Sequence, residues 1–185
     1  SDLKQRELSR ALYKTVANLP IISPHGHTDP SWFANNECFK NATELLIIPD
    51  HYVFRMFYSK GIKLEDLGIP RIDGGQVETD YLKIWQIFAD NYHLFHATPS
   101  RIWMDFVFSE VFGFTEVLCP ANAELFYHTI NEKLNSDAFR PLALLKRFNI
   151  ELLATTEGAG DDLVHHAKLK GTGLEKTVIT TFRPD

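Results

Sequence analysis

Several classes of protein are excluded by what this chain lacks. It holds two cysteines, Cys38 and Cys119, in unrelated contexts and with no Cys-x-x-Cys spacing. That favours reduced thiols in a cytoplasmic protein over a disulfide framework. No run of basic residues occurs, and 19 Lys and Arg against 24 Asp and Glu leave a net charge of −5. Nucleic acid and membrane surfaces therefore have no electrostatic claim as partners. No apolar stretch approaches the ~20 residues of a membrane span, and the first residues carry no signal-peptide pattern. There is no internal repeat and no low-complexity tract. What is present is core material: 44% hydrophobic and 12% aromatic residues, too many for a disordered chain. A length of 185 residues suits one compact domain or one and a half. The chain opens at Ser1 without Met and stops at Asp185 straight after a strand-like run, so both ends read as cut.

Apolar spacing divides the chain into three parts. Leu3, Leu8, Leu12 and Val16 recur at helical spacing over 2–17, and Ile21-Ile22 then begin a short strand. From about 40 to 148 the period is helical almost throughout. Asp50 is placed to cap a helix over 51–60, with Phe54, Phe57 and Tyr58 on one face and Gly61 as its stop. Thr79-Asp80, Pro99-Ser100, Pro120 and Pro141 each open a further helix, while 62–78 reads as a loop. After 149 the pattern becomes strand (150–155), exit loop (156–158), short helix (161–169) and strand (177–182). Such a unit implies parallel strands. The parts are therefore 1–39 (first helix and strand), 40–148 (a mainly helical insertion after strand one) and 149–185 (second and third strands).

The residues capable of chemistry gather at the expected strand ends. In His25-Gly26-His27 the two imidazoles are spaced i, i+2, which on a strand puts both on one face and within reach of one metal ion. Two ligands fall short of the three or four that zinc takes from protein, and two hydrogen-bonded histidines at a strand exit is the plainer alternative. The other strands end in Thr155-Thr156-Glu157 and in Arg183, whose backbone Pro184 should keep extended. Arg183 is either a surface ion-pair residue or a third element at the same rim. His51 and Tyr52 follow Asp50 at a helix start, either as a solvated cap or as donors to an anionic, hydroxylated ligand. His165-His166, His93, His96 and His128 read as structural.

The segments LPIISPHGH, DHYVFRMF, LLATTEGAGDDLVHH and ITTFRPD occur in the order and approximate spacing of uronate isomerases, and the chain resembles that family over nearly its whole length. The resemblance implies a partial (β/α)8 TIM barrel of the amidohydrolase type, α/β in class, with a large helical insertion after strand one. It implies D-glucuronate to D-fructuronate and D-galacturonate to D-tagaturonate as reactions. It casts His25 and His27 as ligands of a divalent metal, zinc being the expected ion. His51 and Tyr52 become catalytic and substrate contacts, and Arg183 a substrate-binding residue. The general-base aspartate and the remaining ligands would lie in later strands, since a barrel takes ~250 residues. Ser23-Pro24, Val53 and Glu157 differ from what many relatives carry there and bear on the sugar preferred. In a barrel, Arg183 should face the cavity edged by His25 and His27, with His51 and Tyr52 overhanging it. Open barrel edges predict a homo-oligomer or another associated chain, and a piece inactive by itself. Two other functions also fit the residues: a metal-dependent hydrolase sharing the His-x-His strand, and a non-enzymatic helical module binding a protein partner.

Overall fold

Capping side chains and apolar spacing set the helix positions. The computed structural model describes residues 2–183. Its elements run α1 (Leu3–Val16), β1 (Ile21–Ser23), α2 (Pro30–Asn35), α3 (Ala42–Leu46), α4 (His51–Ser59) and α5 (Tyr81–Asp90). They continue with α6 (Pro99–Phe106), α7 (Ala123–Leu134), α8 (Pro141–Arg147), β2 (Ile150–Gly158), α9 (Val164–Leu169) and β3 (Val178–Arg183). Asp2, Asp29, Asn41, Asp50, Asp80 and Thr98 each accept a backbone N–H in the first turn of the helix they precede. Each satisfies a donor that has no partner within the helix. Among the described residues no helix is long and apolar enough to cross a membrane.

Several expectations from the sequence shift. α2 was not anticipated, although Asp29-Pro30 supplies both its cap and its first residue. The segment 62–78 is not wholly irregular: a 3-10 turn at Glu65–Leu67 buries Leu67 completely. α4 buries Val53 and Phe57, while Tyr58 lies exposed, so its apolar face is rotated from the expected one. The segment opened by Pro120 begins as a 3-10 turn, and α7 starts at Ala123. α9 starts three residues later than expected, because Leu163 adopts a left-handed conformation at φ 53°. β2 runs through Gly158, so Thr156 and Glu157 belong to the strand and not to its exit loop.

The chain divides into two compact units, residues 38–139 and residues 1–37 with 140–185. The sequence set the second boundary at 148. It falls near 140 because α8 joins the sheet, its Leu145 packing with Phe33, Leu153, Leu169 and Val178 in one buried cluster. The helical unit is built on aromatic side chains. Trp85 donates its indole N–H to the Ala123 carbonyl at 2.9 Å and lies against Phe88, Phe108 and Tyr127. Phe57, Phe88, Tyr92 and Phe95 extend the same stack of tilted and edge-on rings, the arrangement that aromatic quadrupoles favour.

The other unit is mixed α/β around a three-stranded parallel sheet in the order β1-β2-β3. Ser23 pairs with Leu153, Leu153 with Val178, and Gly158 with Arg183. Leu153 and Val178 face the cluster formed with α2, α8 and α9. Alternation then places Thr155, Glu157 and Thr180 on that helix-covered face, and Thr156, Thr181 and Arg183 on the opposite one.

Candidate active site at the strand ends

The His-x-His turn is held in shape by contacts from β2. β1 ends at Ser23, so His25 and His27 lie on the bend that follows and strand alternation does not bring them together. Their rings converge nonetheless. The two Nε2 atoms are 3.1 Å apart and the ring planes cross at 81°. Ser23 Oγ donates to the His25 carbonyl at 3.4 Å, and Thr156 Oγ1 donates to the Gly26 carbonyl at 2.8 Å. Gly26 allows the close approach, since a Cβ there would meet the Ala154 carbonyl oxygen at 3.2 Å. Both histidines remain exposed.

The donor set can be compared with a metal's needs. Two imidazole nitrogens on one tetrahedral zinc stand about 3.3 Å apart, given Zn–N bonds of about 2.0–2.1 Å. His25 and His27 therefore fit two positions of such a site. Among the described residues no group of three or more His, Cys, Asp or Glu could hold a metal, so the fit extends to those two ligands.

On the opposite face, the end of β2 is tied to α9 and β3. Glu157 is 8% exposed. His166 Nε2 lies 3.3 Å from its Oε1 and 3.0 Å from Thr155 Oγ1. Thr180 donates its hydroxyl to Glu157 Oε2. Thr155 donates to the Ile179 carbonyl at 3.2 Å, so toward His166 it can only accept, and His166 Nε2 carries the proton. Burial by itself raises the Glu157 carboxyl. The Thr180 hydroxyl and the His166 imidazole, which donate to it, outweigh this and hold the group below the usual carboxylate range. A cleft of about 440 Å³ opens here, lined by Pro30, Thr156, Glu157, Asp161, His165 and His166 among others. Among the described residues, two buried side-chain polar atoms without a hydrogen-bond partner, Thr28 Oγ1 and His165 Nδ1, belong to the same unit.

Arg183 is exposed at the end of β3, on the Thr156 and Thr181 face by strand alternation. Pro184, invoked for its backbone, lies outside the described residues. In the helical unit His51 and Tyr52 form the exposed first turn of α4, their rings 4.2 Å apart. Asp50 Oδ1 accepts from the Tyr52 amide at 2.8 Å and from the Val53 amide at 3.3 Å, so this terminus is already capped. Of the expected site residues, His25 and His27 meet directly. The sequence reading did not single out Thr156 as their neighbour, or Glu157 with His166 as a buried pair. The i, i+9 separation of Glu157 and His166 across a strand–helix connection was the available signal.

The model of the glucuronate isomerase family matches residues 2–185. The uronate isomerase of Sphingopyxis alaskensis is 54% identical over 100% of this chain and 39% of its own length. That of Rhizobium meliloti is 50% identical over 98% of this chain and 39% of its own. The crystal structure of glucuronate isomerase from Caulobacter crescentus superposes with a TM-score of 0.94 at 52% identity, covering 100% of this chain and 38% of that one. The uronate isomerase structure from Thermotoga maritima gives a TM-score of 0.80 at 27% identity, covering 95% and 37%. This chain thus spans under two-fifths of the length of the relatives it matches.

Proposed function

Because the chain belongs to the glucuronate isomerase family, we propose that it supplies the opening strands of a (β/α)8 barrel that interconverts aldose and ketose hexuronates. The pairs are D-glucuronate with D-fructuronate and D-galacturonate with D-tagaturonate. The observation that carries this reading is the convergence of His25 and His27 at the carboxyl end of a parallel sheet, where barrel enzymes place their chemistry. Residues 38–139 are the helical insertion of that barrel.

The reaction moves a proton between adjacent carbons through an enediol-like intermediate. It needs a base and a stabiliser for the oxygen that gains charge. His25 and His27 hold a divalent cation, and zinc suits two imidazole nitrogens. When bound, that ion supplies Lewis-acid polarisation. Arg183 grips the substrate carboxylate with two parallel N–H donors, which a net-acidic chain needs against an anionic sugar. His51 and Tyr52 serve hydroxyl or oxyanion positions. The base comes from a strand outside this chain. Among the described residues β1 and β3 are the edge strands of the sheet, and these edges with the exposed leucines of α1 support association with further polypeptide or a second copy.

The test is an assay of uronate isomerisation against hydrolysis, run on this chain alone and on a protein carrying the remaining strands. The chain alone should be inactive. The longer protein should isomerise, and its Arg183→Lys variant should lose at least tenfold in kcat/KM with unchanged folding, because lysine keeps the charge but lacks the planar fork. A purified monomer of this chain that isomerises glucuronate, or a fully active lysine variant, overturns the reading.

A further inference from the structure

We propose that Thr156 is a positioning residue that sets the tautomer of His25. The inference rests on the assignment of His25 and His27 as metal ligands and adds a role for the residue behind them. Thr156 Oγ1 is 2.8 Å from the Gly26 carbonyl oxygen. A carbonyl can only accept, so the one hydroxyl proton of Thr156 is committed there. The same oxygen lies 3.5 Å from His25 Nδ1, and toward that nitrogen it presents lone pairs alone. The contact is satisfied when His25 carries its proton on Nδ1. His25 Nε2 is then unprotonated, with its lone pair directed at the point where His27 Nε2 also arrives, 3.1 Å away.

Two consequences follow. Without a cation, the close Nε2 pair is a hydrogen bond in which His27 Nε2–H donates to His25, since two bare lone pairs at that distance repel. With a cation, His25 has no proton to lose from its ligating nitrogen. Metal-bound histidines generally need a partner on the second ring nitrogen for this purpose. Here the partner comes from a strand 131 residues further along the chain. The contact stands at the outer edge of hydrogen-bond distance, so the expected effect is at the lower end of what such partners supply. The preceding and following residues do not compete for this role: Thr155 bonds to Ile179 and His166, and Glu157 to Thr180 and His166.

The experiment compares wild type with Thr156→Val, which keeps the shape and removes the hydroxyl, and Thr156→Ser, which restores it. In metal-free protein at alkaline pH, with the ring neutral, imidazole nitrogen chemical shifts report the His25 tautomer. Wild type and Thr156→Ser should hold the proton on Nδ1, and Thr156→Val should move a substantial share to Nε2. Zinc titration of the same proteins should show Thr156→Val binding roughly tenfold more weakly, with Thr156→Ser close to wild type. Wild-type His25 protonated on Nε2 overturns the proposal whether or not the valine variant folds. A folded valine variant with the wild-type tautomer also overturns it. Wild-type protein that takes up no zinc refutes the metal reading, while the tautomer arm still decides the Thr156 assignment.

Discussion

The two units solve the problem of stability in opposite ways. The helical unit closes its own core. The largest fully buried side chains, among them Trp85, Tyr92, Phe57, Phe88, Phe95 and Phe126, all lie within 38–139. The sheet unit has a modest cluster of Phe33, Leu145, Leu153, Leu169 and Val178. It leaves Leu3, Leu8 and Leu12 of α1 61–63% exposed, together with Ile21 and Ile22 of β1. Its α1 buries no residue. The unit that carries the converging histidines thus leaves much apolar surface uncovered, and among the described residues it also carries the orphaned atoms Thr28 Oγ1 and His165 Nδ1. Dense packing and the paired His25 and His27 fall in different units of this molecule. Self-sufficiency belongs to the part with no converging histidines.

The largest expected effect tests the helical side of that contrast. Residues 38–139 made alone should unfold cooperatively in denaturant, and Trp85→Ala should lower that stability by about 3–5 kcal/mol, since it empties a fully buried indole site and removes the bond to the Ala123 carbonyl. A gradual, non-cooperative melt of the excised unit would break the comparison.

Next comes Glu157→Gln in the sheet unit. An amide presents N–H groups where His166 and Thr180 already donate, so a loss of about 1–3 kcal/mol is expected. The carboxyl's folded-state pKa lies below its usual value of 4.5. Its stabilisation is therefore complete above that value and disappears as pH falls through the lowered one. The glutamine variant should show a flatter acid limb in pH-dependent melts of the whole chain. An identical acid limb would mean that the cluster contributes nothing through charge.

The smallest effect sharpens the point about α1. Leu8→Gln with Leu12→Gln should change stability by no more than about 0.5 kcal/mol, as for exposed sites generally. Light scattering should show a larger monomeric fraction at a given concentration. A drop of several kcal/mol would show that the leucines of α1 are buried in the folded chain.

Much of this organisation could be read from residues alone. Asp50, Asp80, Pro99 and Pro141 announced their helices because caps and first-turn prolines are local chemistry, although the Thr98 cap itself went unread. The parallel strands after 149 were legible for the same reason: β-branched runs bracketed by a short helix. α2 was missed because six residues are too few to display a period, although its cap was visible. The apolar stripe of α1 was read correctly as a helix, but period alone says nothing about what covers it. Convergence of His25 and His27 was anticipated from strand alternation, yet a bend after β1 produces it. The tie through Thr156 could not be read, since it spans 130 residues and depends on the register of β2.

One feature of the sheet unit bears on how the molecule assembles. Asn36 meets the chain again at its far side: its carbonyl accepts from Arg140 Nη1 at 3.0 Å, and its side-chain oxygen accepts from the Leu142 amide at 3.0 Å. These bonds bring together residues 104 and 106 positions apart, so within the sheet unit the chain ends on either side of the 102-residue helical segment are stapled to each other. Pairing β1 with β2 across an open coil of that length costs about 3 kcal/mol more in loop-closure entropy than across a few residues. A helical unit that has already folded removes most of that cost before the strands meet. Folding of residues 38–139 thus turns a distant pair of strands into near neighbours along the chain.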